Sequence, residues 1–162
     1  MDLQDDATIF GLSLALLAVA YAIGRVVGPK VTKCETDEQR RKQRAWILTL
    51  ISSVVCGAHG VFFLGRVIKY GFGHEFSRGE TVADRRVALF FLAYCIADLA
   101  TGALDYIDEI DYQSGWAHHS FYGVGLCVLL YRKHTHFFMA GLIEDLPTVL
   151  LAWARLAHAK EL

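Results

Sequence analysis

The stretch Ala7-Thr8-Ile9-Phe10-Gly11-Leu12-Ser13-Leu14-Ala15-Leu16-Leu17-Ala18-Val19-Ala20-Tyr21-Ala22-Ile23-Gly24-Arg25-Val26-Val27 is long enough to cross the hydrocarbon core of a bilayer, which takes about 20 apolar residues. Comparable runs cover about Ala45 to Ile68, Ala83 to Leu104, Gly115 to Tyr131 and Phe137 to Ala157. Together they predict an all-α, multi-pass transmembrane bundle of about five helices, one domain over residues 1–162. With 54% hydrophobic residues and a mean hydropathy of +0.34, the chain is more apolar and less charged than a soluble helical bundle of this length. Gly28-Pro29 reads as the stop of the first helix, and Trp46 as an interfacial anchor opening the second. The fourth run is barely long enough to cross, and its Gly115, Gly123 and Gly125 read as packing positions.

The first run follows the acidic Met1-Asp2-Leu3-Gln4-Asp5-Asp6 and lacks a small-residue cleavage site, so it reads as a retained helix. Between the first two runs, residues 30–44 hold six basic side chains against three acidic ones. The positive-inside rule puts that loop in the cytosol and the N-terminus outside or in a lumen. By alternation the acidic segment Asp105 to Asp111 shares the cytosolic side, and Arg132-Lys133 falls opposite; neither helps the assignment. A net charge of −1 gives no reason to expect a nucleic-acid partner. The cysteines Cys34, Cys56, Cys95 and Cys127 are widely spaced without Cys-x-x-Cys, which argues against disulfides and zinc.

Charged or titratable side chains inside these runs cost about 2.5–3.5 kcal/mol each at mid-membrane, and the polar stripes that carry them should turn inward. They fall on helical faces. Ser52, Cys56, His59 and Arg66 share one, and Tyr94, Asp98, Thr101 and Asp105 another. His118 shares a face with Tyr122 and Gly125, and His136, Ala140, Glu144 and Thr148 step by four. His118 and His119 project about 100° apart on a helix and cannot both hide in one packing contact. A packing role accounts for His59, Asp98, Tyr94 or Cys56 taken singly, a backbone-satisfying role beside Pro147 accounts for Glu144 or Asp145, and Arg66 reads as reaching the interface. No spacing signature supports a metal site from His59, Asp98, Glu144 and the pair, and no hydrolase, nucleotide or dinucleotide motif occurs.

In order along the chain, Thr49 to His59, Phe91-Leu92-Ala93-Tyr94-Cys95-Ile96-Ala97-Asp98-Leu99, His118-His119, and Leu142-Ile143-Glu144-Asp145-Leu146-Pro147-Thr148-Val149-Leu150-Leu151 resemble the motifs of the TLC domain family. The resemblance spans about residues 46–157. It implies an endomembrane location such as the endoplasmic reticulum and a polar cavity that handles membrane lipids. Ceramide synthases of that family carry a His-Asp and a further Asp after the paired histidine. Here Glu144-Asp145 and Pro147 stand there, which resembles the non-synthase branch. Family members run one or two helices further, so the resemblance implies a minimal or truncated member, or a second copy or partner subunit that completes the bundle.

Three functions fit these residues. The first is a lipid-binding or lipid-regulatory module, with His59, Asp98, Tyr94, Tyr122 and Glu144 lining the head-group site. In an acyltransferase, His118 and His119 would be catalytic, with acyl-CoA as co-substrate and no bound cofactor. The third is a scaffold in which the polar groups only join helices.

Overall fold

Two capping boxes start the two central helices. Thr36 Oγ1 accepts the Gln39 N–H while the Gln39 side chain accepts the Thr36 N–H, and α2 runs Asp37–Tyr70. Thr81 and Asp84 repeat the exchange at the head of α4, Val82–Asp105. The computed structural model describes residues 3–158, which are all-α, with no strand among them. The remaining helices are α1 (Leu3–Thr32), α3 (Phe72–Ser77), α5 (His118–Arg132), α6 (His136–Met139) and α7 (Asp145–Ala157).

Four segments are long and apolar enough to cross a membrane: Gln4–Thr32, Asp37–Tyr70, Val82–Asp105 and His136–Ala157. The expected span near residues 115–131 is different. Helix α5 has 15 residues, roughly 22 Å at 1.5 Å per residue, short of a ~30 Å core. A π-helical segment, Tyr112–Ala117, leads into it. The last expected span is interrupted. After α6 the chain tightens into a 3₁₀ turn, Gly141–Glu144, before α7 begins. Pro147 lacks an N–H, and in a continuous α-helix its ring would crowd the Ile143 carbonyl four residues back, which disfavours such a helix through this point.

Helix α1 also departs from expectation, continuing through Pro29 to Thr32. So near the C-terminus, proline forfeits only the one bond to Arg25. Thr32 Oγ1 donates to the Gly28 carbonyl at 3.0 Å and accepts from Gln43 Nε2 at 2.8 Å, which ties the last turn to α2. Lys33, in the left-handed region with φ 55°, ends it.

Close approaches order the helices. Gly24 and Gly28 of α1 lie on Ile47 and Gln43 of α2, so these two are antiparallel. Thr49 meets Tyr94 and His59 meets Asp84, which makes α2 and α4 antiparallel. Helix α5 runs back along α4, with Tyr94 by His119 and Arg85 at the Leu130 carbonyl. Gly57 and Gly60 of α2 receive Leu146 and Leu142. In the apolar windows of α2 and α4, 44% and 56% of residues are buried, against 17% for α1 and for the final segment, so α2 and α4 form the centre. Outside, Phe62 (71% exposed), Phe121 (78%) and Leu150 (73%) face outward, as side chains do when lipid is their solvent.

Candidate functional site

The antiparallel packing of α4 and α5 sets His119 against Asp98 and Tyr94. His119 is 8% exposed and Asp98 6%. His119 Nδ1 lies 3.1 Å from Asp98 Oδ2, a charge-pair separation, but it makes no hydrogen bond. Its Nε2 lies 3.5 Å from the Tyr94 hydroxyl, which is 3.2 Å from Thr49 Oγ1 on α2. The other Asp98 oxygen accepts the Tyr106 hydroxyl at 2.7 Å, and Tyr106 in turn lies 2.9 Å from Thr101 Oγ1. Three helices and the loop after α4 thus converge on one polar chain.

This chain borders an open cavity of about 290 Å³ between α2, α4, α5 and α7. Tyr94, Asp98, His118 and His119 all line it, together with Thr49, Ser52, Ser53, Tyr106, Asp145 and Thr148. As expected from their divergent directions, the two histidines differ: His119 is buried and His118 exposed. The His118 ring packs on Tyr122 at 4.6 Å between centroids. His118 also lines a smaller neighbouring cavity of about 180 Å³, and there Tyr122 and Glu144, which do not line the first, join it. Asp145 reaches both cavities, whereas Glu144 is exposed and lines only the smaller one. The 3₁₀ turn explains the exchange, because it shifts the helical phase between His136 and Thr148 and dissolves the four-residue stripe.

His59 lies elsewhere. Its Nε2 is 3.1 Å from Asp84 Oδ1, near the opposite end of the bundle, and it lines neither cavity. Asp84, whose side chain is fully buried, also accepts Arg78 Nη2 at 2.9 Å and the Thr81 N–H at 3.0 Å. Arg66, expected only to reach outward, donates from Nε to Glu75 Oε2 at 2.9 Å; Arg78 Nε reaches the same oxygen at 2.7 Å. Burial pushes the Glu75 carboxyl up, but the hydrogen bonds from Arg66 and Arg78 outweigh it and hold Glu75 below the usual glutamate range. Beside this group, Arg85 pairs with Asp6 and Glu80 and donates to the Leu130 carbonyl, and Glu80 accepts the Thr135 hydroxyl.

Tyr106 and Thr49 in the cavity, and Asp84, Arg85, Glu75 and Arg78 at the far end, were not singled out from the sequence, which reads Asp145 as a group satisfying the backbone beside Pro147, not as a cavity residue. Of these, Asp84 left a readable signal, because Thr81-x-x-Asp84 has capping-box spacing. The four cysteines are unpaired, three buried and Cys127 exposed. No group of three or more His, Cys, Asp or Glu side chains that could hold a metal ion occurs among the described residues. No protein family, curated protein or solved structure matches this chain, so the geometry of the cavity itself carries the functional reading.

Proposed function

We propose that this chain is a TLC-type integral membrane protein of the endoplasmic reticulum or a related endomembrane, and that it binds or regulates membrane lipids by holding a polar head group between α2, α4, α5 and α7. One observation carries the reading: a cavity walled by His119, Asp98, Tyr94, Tyr106 and hydroxyls inside a bundle whose outer face is apolar. Polar groups buried among membrane helices are costly unless something answers them, and a head group with several donors and acceptors does so. The ordered likeness of residues 46–157 to the TLC motifs supports the same reading.

A second reading is acyl transfer, and the placement of the paired histidines favours it. His119 stands 3.1 Å from the Asp98 carboxylate, which can orient its ring, and His118 is exposed at the cavity wall. One histidine would take the proton of an acceptor hydroxyl or amine as that atom attacks an acyl thioester, and the thiol would leave.

Quantitative lipid mass spectrometry separates the two. A host expressing the wild type is compared with one expressing His118→Ala/His119→Ala at matched protein levels. Binding predicts a lipid enriched with the purified protein at about one per chain, and lost in the double variant. A species accumulating far beyond the protein copy number, in the wild type only, would replace binding with turnover. If no lipid differs and both proteins are stable in membranes, both readings fail.

A further inference from the structure

The charges around the cavity are arranged unevenly. Asp98, Glu109, Asp111 and Asp145 line it and, among the described residues, no lysine or arginine does. Asp98 is answered by Tyr106 and His119. Asp145 is only part-exposed, and no hydrogen bond or ion pair joins it to another described residue. A carboxylate so placed is costly unless a cation or a proton joins it. His119, more than nine-tenths buried at the cavity wall, makes no hydrogen bond through Nδ1, whose charged neighbour is Asp98 Oδ2 at 3.1 Å. Trp46, Phe91, Tyr94 and Tyr106 supply aromatic walls, and aromatic faces attract ammonium groups.

The space beside it has the opposite sign. An adjoining cavity of about 310 Å³ shares Ala45, Trp46 and Glu109 with the first, and Lys42 and Arg155 line it. The Arg155 guanidinium lies over the Trp46 ring, 5.8 Å from its centroid. Lys42 Nζ is 2.9 Å from Glu38, the lysine 27% and the glutamate 63% exposed, and a phosphate entering here would compete with that partly solvated carboxylate. With four carboxyl side chains on the first cavity, and Lys42 and Arg155 beside the shared Glu109 on the second, the two cavities form a dipole.

We propose that the ligand is a zwitterionic phospholipid, its ammonium group held among Asp145, Asp98 and the aromatic walls and its phosphate between Lys42 and Arg155. The proposal rests on the lipid-binding reading above and names the class of head group that the cavity selects. An amine-free anionic lipid would meet carboxylates where this one presents its cation. Diacylglycerol would leave both ends of the dipole unanswered.

Native mass spectrometry of the purified full chain tests it, with phosphatidylethanolamine, phosphatidylcholine, phosphatidylglycerol, diacylglycerol and a long-chain alkylamine offered separately. Acyl chains are matched among the glycerolipids. Retention of the two zwitterionic lipids should exceed that of phosphatidylglycerol and diacylglycerol by about tenfold, the ratio that one lost charge contact of ordinary strength produces. Asp145→Asn should abolish the preference, and Arg155→Gln should weaken both zwitterionic phospholipids while leaving alkylamine retention unchanged. Asp111→Asn, on an exposed loop, should lower the preference part-way and serves if Asp145→Asn fails to fold. Phosphatidylglycerol held as tightly as phosphatidylethanolamine overturns the head-group assignment and leaves lipid binding standing. Alkylamine held equally well, with Arg155→Gln silent on every lipid, overturns the phosphate half. No retention of any lipid by the wild type overturns the underlying reading as well.

Discussion

Glu75 shows how much one carboxylate organises. It sits outside the spanning segments on the short helix α3, 1% exposed, and receives both Arg66 and Arg78. Its pKa is lower in the folded protein than in the unfolded chain. Its contribution is therefore complete above the ordinary glutamate value and is lost as pH falls through the depressed one. Thermal unfolding in detergent should show a Tm that drops in that acidic window, and Glu75→Gln should flatten the drop. At neutral pH the same variant should be less stable by about 2 kcal/mol, the scale of a hydrogen bond to a charged group. An unchanged acid limb in the variant would remove Glu75 from the account. The residue scale is also where sequence reading stopped short. Periodicity along α2 placed Ser52 and His59 on one face, but seven residues of helix separate them by roughly 10 Å in depth. Faces are legible in one dimension. Depth depends on which helices run antiparallel, so nothing in the local pattern assigned His59 to Asp84 and Ser52 to the cavity.

Among the helices, α2 meets the 3₁₀ turn backbone to backbone at Gly60. A Cβ on Gly60 would lie 2.8 Å from the Leu142 carbonyl carbon and oxygen and 2.9 Å from the Ile143 nitrogen. Those are backbone atoms and cannot rotate away. Gly60→Ala should push the final segment off α2 and cost about 1–3 kcal/mol, the usual penalty for overpacking. Gly65→Ala, on the same helix with nothing within 4 Å, should leave stability unchanged or slightly raise it, since alanine favours helix over glycine. Unfolding midpoints of the two variants measured side by side decide it, and equal values would discount the contact. The long helices were legible because length and apolarity suffice to define a span. The Gly141–Glu144 turn was not, although Pro147 was in view, because a proline marks trouble in a helix without saying whether it will kink, tighten or continue. Pro29 and Pro147 made the point in opposite directions.

For the molecule as a whole, the alternating helices place Ser77 and Gln113, both exposed, at opposite ends of the bundle. With Cys127 replaced by alanine, Ser77→Cys and Gln113→Cys should react with an impermeant maleimide from opposite sides of sealed vesicles. Labelling of both from one side would overturn the alternating path. The positive-inside reading adds that Gln113 belongs to the cytosolic end, with residues 30–44. One consequence concerns α1, the least buried long helix together with the final segment. It is fastened to α4 at two heights, by Arg85 on Asp6 at one end and by Tyr21 and Arg25 on Asp105 at the other. Because the two helices run parallel, sliding one along the other would detach both fastenings together. The pair therefore behaves as a gauge block of fixed length. Where the surrounding bilayer is too thick or too thin, the lipids must stretch or compress to meet it, or the molecule must tilt as a unit.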